Sequence, residues 1–128
     1  MSQSILIADD SSAVRWVVHS YLAQRGFEVC GEAADGEDAM EKARALRPDL
    51  VLLDVAMPRT NGIEVASVLK HMMPGVRIVL FTIRRQFVSV DGADAMVDKA
   101  EGMGTLVECV QGLLAKSKES HASREGTN

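Results

Sequence analysis

Asp54 ends a short, continuously apolar run, Leu50-Val51-Leu52-Leu53, and a Met57-Pro58 turn follows it. A run too short for an ordinary helix and apolar at every position suits a strand buried on both faces. Asp54 then stands at the carboxyl end of a central strand, the edge of an open α/β sheet at which ligands bind. Four other residues share that kind of position: Asp9 and Asp10 follow Ser4–Ala8, Thr82 ends Val76–Phe81, and Lys99 follows Ala95–Asp98. Three carboxylates in one crevice repel, each pair about 4 Å apart costing roughly 4 kcal/mol at an effective dielectric near 20. Such a site protonates or recruits a cation. Hard oxygen ligands on a solvent-facing edge favour Mg²⁺, which keeps waters and completes its shell with phosphate oxygens. Thr82 and Lys99 supply a hydroxyl donor and a positive charge for the remaining oxygens of a phosphoryl group. A carboxylate can attack a phosphoryl donor and hold an acyl phosphate, which makes Asp54 the candidate nucleophile. The plain alternatives are helix-capping aspartates, a strand-end threonine and a solvated surface lysine. Their joint placement after four strands argues against coincidence.

The elements that must position these residues can be read in order. After the first strand, Ser11 and Ser12 offer caps, and Val14, Val17, Val18, Tyr21 and Leu22 recur at helical spacing up to Gly26. Residues 27–33 read as a second strand, and a helix with Ala39, Met40, Ala43 and Leu46 on one face stops before Pro48. The helix of about 62–72 turns Ile63, Ala66 and Leu69 inward; Pro74-Gly75 ends it before the fourth strand. Residues 84–90 suit either a short helix or an irregular loop. A last helix from about Gly102 to Lys116 buries Leu106, Val107, Val110 and Leu113. Strands alternating with helices imply parallel pairing through right-handed crossovers, hence a doubly wound five-stranded α/β sheet. One domain over 1–116 accounts for this pattern, and 117–128 reads as a polar, disordered tail.

Composition narrows the partners. A formal charge of -4 gives no footprint for direct nucleic-acid binding. No apolar run approaches the roughly 20 residues of a membrane helix. No signal-peptide pattern opens the chain. Cys30 and Cys109 stand far apart in apolar segments, reading as reduced, buried thiols in a cytoplasmic setting. His19, His71 and His121 lack partners at metal-ligand spacing. Trp16 and Tyr21 suit helix packing or a docking face, and Arg84-Arg85 a solvated basic pair.

These residues together resemble the receiver domain of two-component response regulators. Asp9-Asp10, Asp54 with Met57-Pro58 and Asn61-Gly62, Thr82 and Lys99 carry the resemblance, which covers residues 4 to about 116. The stretch Gly31-Glu32-Ala33-Ala34-Asp35-Gly36 and the run Arg47–Asp54 look like receivers attached to helix-turn-helix output domains. The resemblance implies a flavodoxin-like receiver with strand order 2-1-3-4-5. It implies Asp54 as phosphoacceptor, with Asp10, Asp54 and the Ala56 carbonyl binding Mg²⁺ directly and Asp9 acting through water. Thr82 and Lys99 take the phosphoryl oxygens. The protein is then a phosphorelay component, not an enzyme in its own right, although it assists its own phosphoryl transfer and dephosphorylation. Its donor is a sensor histidine kinase or His-phosphotransfer protein. It signals to a downstream protein by contact, with room for a homodimer.

Four departures qualify that picture. The stretch between Thr82 and Lys99 is shorter than the family's, so the fourth helix is expected short or unwound. Met96 stands where the family prefers an aromatic ring. Ala100 replaces a proline, so a trans bond is expected after Lys99, since cis without proline costs roughly 2.5–4 kcal/mol. Ile83 replaces a small residue beside the crevice. The shortened stretch, Met96 and the missing proline favour one alternative, a binding module of the same fold that signals without phosphorylation. Ile83 instead would restrict access to the crevice and slow transfer or lengthen the life of the phosphoryl bond. Ala56 also removes the second acid that a metal-assisted Asp phosphatase needs. Paired carboxylates after the first strand would repel a flavin phosphate.

Overall fold

The computed structural model describes residues 3–83 and 92–126, with side chains as far as residue 115. Five strands, β1 (Ser4–Ala8), β2 (Glu28–Ala33), β3 (Leu50–Leu53), β4 (Arg77–Thr82) and β5 (Ala95–Asp98), form one parallel sheet in the order β2-β1-β3-β4-β5. The helices are α1 (Ser12–Gln24), α2 (Gly36–Leu46), α3 (Gly62–Met72) and α4 (Gly102–Gly126), with a 3₁₀ turn over Lys99–Glu101 leading into α4. The doubly wound sheet and its order are those expected. The expectation for the fourth helix, and the Arg84-Arg85 pair, fall outside the described residues.

Because successive strand residues face opposite ways, the strands feed two cores. Leu6, Val51, Leu53, Ile78 and Leu80 pack with Ala39 and Ala43 of α2 and Val65, Ala66 and Leu69 of α3. Ile5, Ile7, Leu50, Leu52, Val79 and Phe81 pack with Val18 and Leu22 of α1 and Leu106, Val107, Val110 and Leu114 of α4. Burial on both faces explains why β3 is apolar throughout.

Helix faces differ in detail from the pattern read off the sequence. Leu46 is 44% exposed because it lies across Gly31 on the edge strand β2, where the sheet ends. On α3 the buried face is led by Val65 instead of Ile63, and on α4 Leu114 is buried instead of Leu113. The backbone of the last helix continues past Lys116, through Gly126. No proline or glycine interrupts 117–125, and Lys, Glu, Ala and Arg are good helix formers. Cys30 and Cys109 are free and half-buried, not fully buried. Among the described residues, no helix is long and apolar enough to cross a membrane.

Candidate functional site

The site forms where β1 and β3 leave the sheet side by side. Pairing of Ala8 with Leu53 brings Asp9 and Asp54 to the same level, and the Asp54 N–H donates to the Ala8 carbonyl at 2.9 Å. The Asp9 N–H donates to Ala33 O on the other side at 3.0 Å. Both carboxylates are buried, Asp9 to 3% and Asp54 to 5% exposure, whereas Asp10 is exposed. Oxygens of Asp9, Asp10 and Asp54 all lie within 4.8 Å of one another.

Local contacts aim these groups. Ser11 caps α1, its Oγ accepting from Val14 N–H, and Asp9 Oδ1 accepts from Ser11 N–H at 2.9 Å. The acidic pair is thereby tied to the first turn of α1. After Asp54, the Ala56 N–H donates to Asp54 Oδ1 at 3.2 Å. Ala56 pairs back with Asn61, which caps α3, and Gly62 N–H donates to Val55 O at 3.0 Å. A Cβ on Gly62 would overlap the Asp54 carbonyl and lie 2.6 Å from Val55 Cα, so only glycine lets α3 start this close to the acidic strand end.

Lys99 crosses from the β5 side. Its Nζ stands 2.8 Å from Asp9 Oδ2, 3.4 Å from Asp54 Oδ2 and 5.9 Å from the Phe81 ring centre. Burial alone would lower the Lys99 ammonium pKa, but the hydrogen bond to Asp9 and the charge of Asp54 outweigh it and hold it above its ordinary value. Burial pushes the Asp9 carboxyl up, against the opposing pull of Lys99 and the Ser11 amide, and the Asp54 charge adds to the rise. The pairing thus favours the ammonium more than the Asp9 carboxylate, as follows when one cation serves two anions. Thr82 is buried, ends β4, and pairs with Asp98 beside Lys99. The bond after Lys99 is trans. Ile83 is 73% exposed next to this edge, and Met96 is half-buried against the α2–α3 core.

All five side chains singled out in the sequence therefore stand on one edge of the sheet, with the Ala56 backbone beside them. Reading the sequence missed a second layer. Arg15 Nη1 donates to the Asp9 carbonyl at 2.6 Å while its Nε donates to Glu32 Oε1 at 3.0 Å, and Glu32 Oε2 meets His19 Nδ1 at 2.9 Å. Lys42 from α2 donates to the Glu32 carbonyl. A histidine without ligand partners along the chain is here joined to the layer behind Asp9. The available signal was the i, i+4 spacing of Arg15 and His19 on α1, which puts both over the end of β2.

A five-stranded parallel sheet in this order, flanked by helices, defines the class as a doubly wound α/β domain. Within that class, the chain belongs to the response regulator receiver domain family, whose model matches residues 5–111. It is 34% identical to the chemotaxis protein CheY of Thermotoga maritima over 78% of each chain. It is also 34% identical to the transcriptional regulatory protein PdtaR of Mycobacterium tuberculosis, over 90% of this chain but only 58% of that protein. Among solved structures it is similar to the response regulator TrrA of Thermotoga maritima in complex with Mg²⁺ and BeF. There the TM-score is 0.80 and the identity 32%, covering 87% of this chain and 98% of the other. The CheX–CheY–BeF3–Mg complex of Borrelia burgdorferi superposes with TM-score 0.82 at 25% identity, covering 88% and 89% of the two chains. The chain is a receiver domain of two-component signalling, a signalling protein by family.

Proposed function

We propose that Asp54 accepts a phosphoryl group in an Mg²⁺-dependent reaction, and that the resulting aspartyl phosphate is the signal. The observation that carries this reading is the convergence of the Asp9, Asp10 and Asp54 oxygens within 4.8 Å, with Lys99 against two of them. One ammonium leaves this set with excess negative charge, and hard oxygen donors beside solvent fit a divalent cation. Asp10, Asp54 and the Ala56 carbonyl would hold it, with Asp9 acting through water. When bound, the cation supplies charge neutralisation to the transferring group. Asp54 attacks phosphorus with a carboxylate oxygen while the donor–phosphorus bond breaks and its electron pair leaves with the donor. Lys99 and Thr82 then face the phosphoryl oxygens as positive charge and hydroxyl donor.

The donor in this reading is a sensor histidine kinase or His-phosphotransfer protein, and a downstream protein reads the phosphorylated face by contact. A similar protein, CheY of Borrelia burgdorferi, forms a complex with a second protein, CheX, which supports protein contact as the means of communication. The test is Mg²⁺-dependent labelling by a small phosphodonor such as acetyl phosphate. Wild type should label, and Asp54→Asn should not. A folded wild-type protein that stays unlabelled at saturating Mg²⁺ would sink the proposal. It would favour instead a phosphorylation-independent binding module, the reading to which Met96, packed against the α2–α3 core in place of an aromatic ring, and Ala100 in place of a proline lend weight.

A further inference from the structure

We propose that Arg15 is a positioning residue for the divalent-cation site, fixing the peptide that joins Asp9 to Asp10 while Glu32 cancels its charge. The inference rests on the metal-binding reading above.

Asp9 closes β1 and Asp10 leads into the α1 cap, so the direction of each carboxylate depends on the rigid peptide plane between them. The carbonyl of that peptide is the atom Arg15 Nη1 reaches at 2.6 Å. With the Asp9 N–H held by Ala33 O and Asp9 Oδ1 held by Ser11 N–H, the carbonyl contact closes the remaining freedom at this corner. Asp10, the exposed member of the acidic group, inherits its orientation from that plane.

Arg15 is itself fixed. Its side chain is only 18% exposed and bridges two elements, since Nε is tied to Glu32 at the end of β2. Glu32 is ordered in turn by His19 from α1 and by Lys42 from α2. A bare guanidinium beside a cation site would repel the incoming ion. Paired with a carboxylate, it offers hydrogen-bond geometry without net charge. Supporting groups that orient metal ligands typically change metal affinity by 10–100-fold when removed.

Charge and positioning predict opposite signs, which makes the proposal testable. If Arg15 acted only through its charge, Arg15→Ala would tighten Mg²⁺ binding. If it positions the acidic pair, Arg15→Ala weakens binding despite the lost repulsion. Titration calorimetry of the full chain with Mg²⁺ should show roughly tenfold weaker binding for Arg15→Ala. Arg15→Lys, which can still donate to the carbonyl, should recover part of it. Glu32→Gln should also weaken binding, because it leaves the guanidinium uncompensated. Thermal melts in EDTA check folding, and Arg15→Met, which keeps the aliphatic stem, carries the same expectation if Arg15→Ala does not fold. Wild-type binding that is unchanged or tightened in folded Arg15→Ala or Arg15→Met overturns this inference alone. A wild type that binds no Mg²⁺ overturns the metal reading and this one with it.

Discussion

Asp9, Asp54 and Lys99 share a problem that a single residue can expose. Two buried carboxylates lean on one ammonium, and Asp10 adds a third negative charge within 4.8 Å. In the metal-free protein this arrangement costs stability, which the proposed cation would return on binding. Asp9→Asn keeps an oxygen to accept from the Ser11 amide and removes one charge. We expect it to stabilise the metal-free protein by about 1 kcal/mol, a modest part of the pairwise repulsion at a partly solvated site. Mg²⁺ should then raise its melting temperature less than it raises that of wild type. Urea denaturation with and without Mg²⁺ measures both effects, and a destabilised metal-free Asp9→Asn would count against excess negative charge as the dominant strain. Lys99→Ala should act in the opposite direction. It leaves two buried carboxylates without their ammonium and should cost about 1–3 kcal/mol in EDTA, discounted from a fully buried pair because Lys99 keeps 18% exposure. A larger stabilising increment from Mg²⁺ in that variant than in wild type is the confirming result.

At the scale of elements, two close approaches hold the site's neighbours in place. Gly62 lets α3 begin against the Asp54–Val55 backbone, and at Gly92, with φ 89°, an added Cβ would stand only 2.9 Å from the Ala66 carbonyl oxygen. Gly62→Ala meets backbone instead of a yielding side chain, so it should destabilise by about 2 kcal/mol or more. Asn61→Ala removes only the cap of the same helix and should cost about 1 kcal/mol. Chemical denaturation orders the two, and a Gly62→Ala protein as stable as Asn61→Ala would disprove the clash. Beyond Gly92, Asp94 fastens the entry to β5. Its Oδ2 accepts from Ile78 N–H at 2.7 Å and Lys70 Nζ at 2.8 Å, and Arg77 stands 3.6 Å from Oδ1. These contacts were not legible in the sequence, because an Asp after Asp91-Gly92 reads as turn chemistry until the fold brings α3 and β4 against it. The strands, by contrast, were legible. β1, β3 and β5 are short runs bounded by polar residues, and burial on two faces leaves little else for Leu50–Leu53 to be. Helix faces were read less well where tertiary context decided them, as at Leu46, which the sheet edge leaves half in solvent, and at Ile63, displaced by Val65. The acidic cluster was legible because its members follow strands. Arg15 and Glu32 were not, since their meeting depends on the register that sets Ile7 opposite Glu32.

Across the whole molecule, Glu32 joins more of the fold than its half-buried position on an edge strand suggests. Its carboxylate holds Arg15 and His19 of α1, its carbonyl takes Lys42 of α2, and through Arg15 it reaches the end of β1. The hydrogen bond from His19 is the main influence holding the Glu32 carboxyl below its ordinary value of 4.5; burial opposes it, and the hydrogen bond from Arg15 with the charges of Arg15 and His19 adds to the lowering. A carboxyl depressed in the folded state binds its proton less readily there than in the unfolded chain. The stability it contributes is therefore fully present above about pH 4.5 and is lost as pH falls through that value toward the folded one. Glu32→Gln removes this dependence. We expect the variant to be less stable than wild type near neutral pH, and the gap to narrow steadily as the pH is taken below about 4.5, where wild type loses the same charge. Urea midpoints measured in EDTA across that range, with constant ionic strength, read the gap directly. The pair is partly solvated, so added salt should shrink the neutral-pH gap as well. A gap that stays constant from neutral pH down through acid would mean that Glu32 holds α1 and β1 by shape and neutral hydrogen bonds, with its charge contributing nothing.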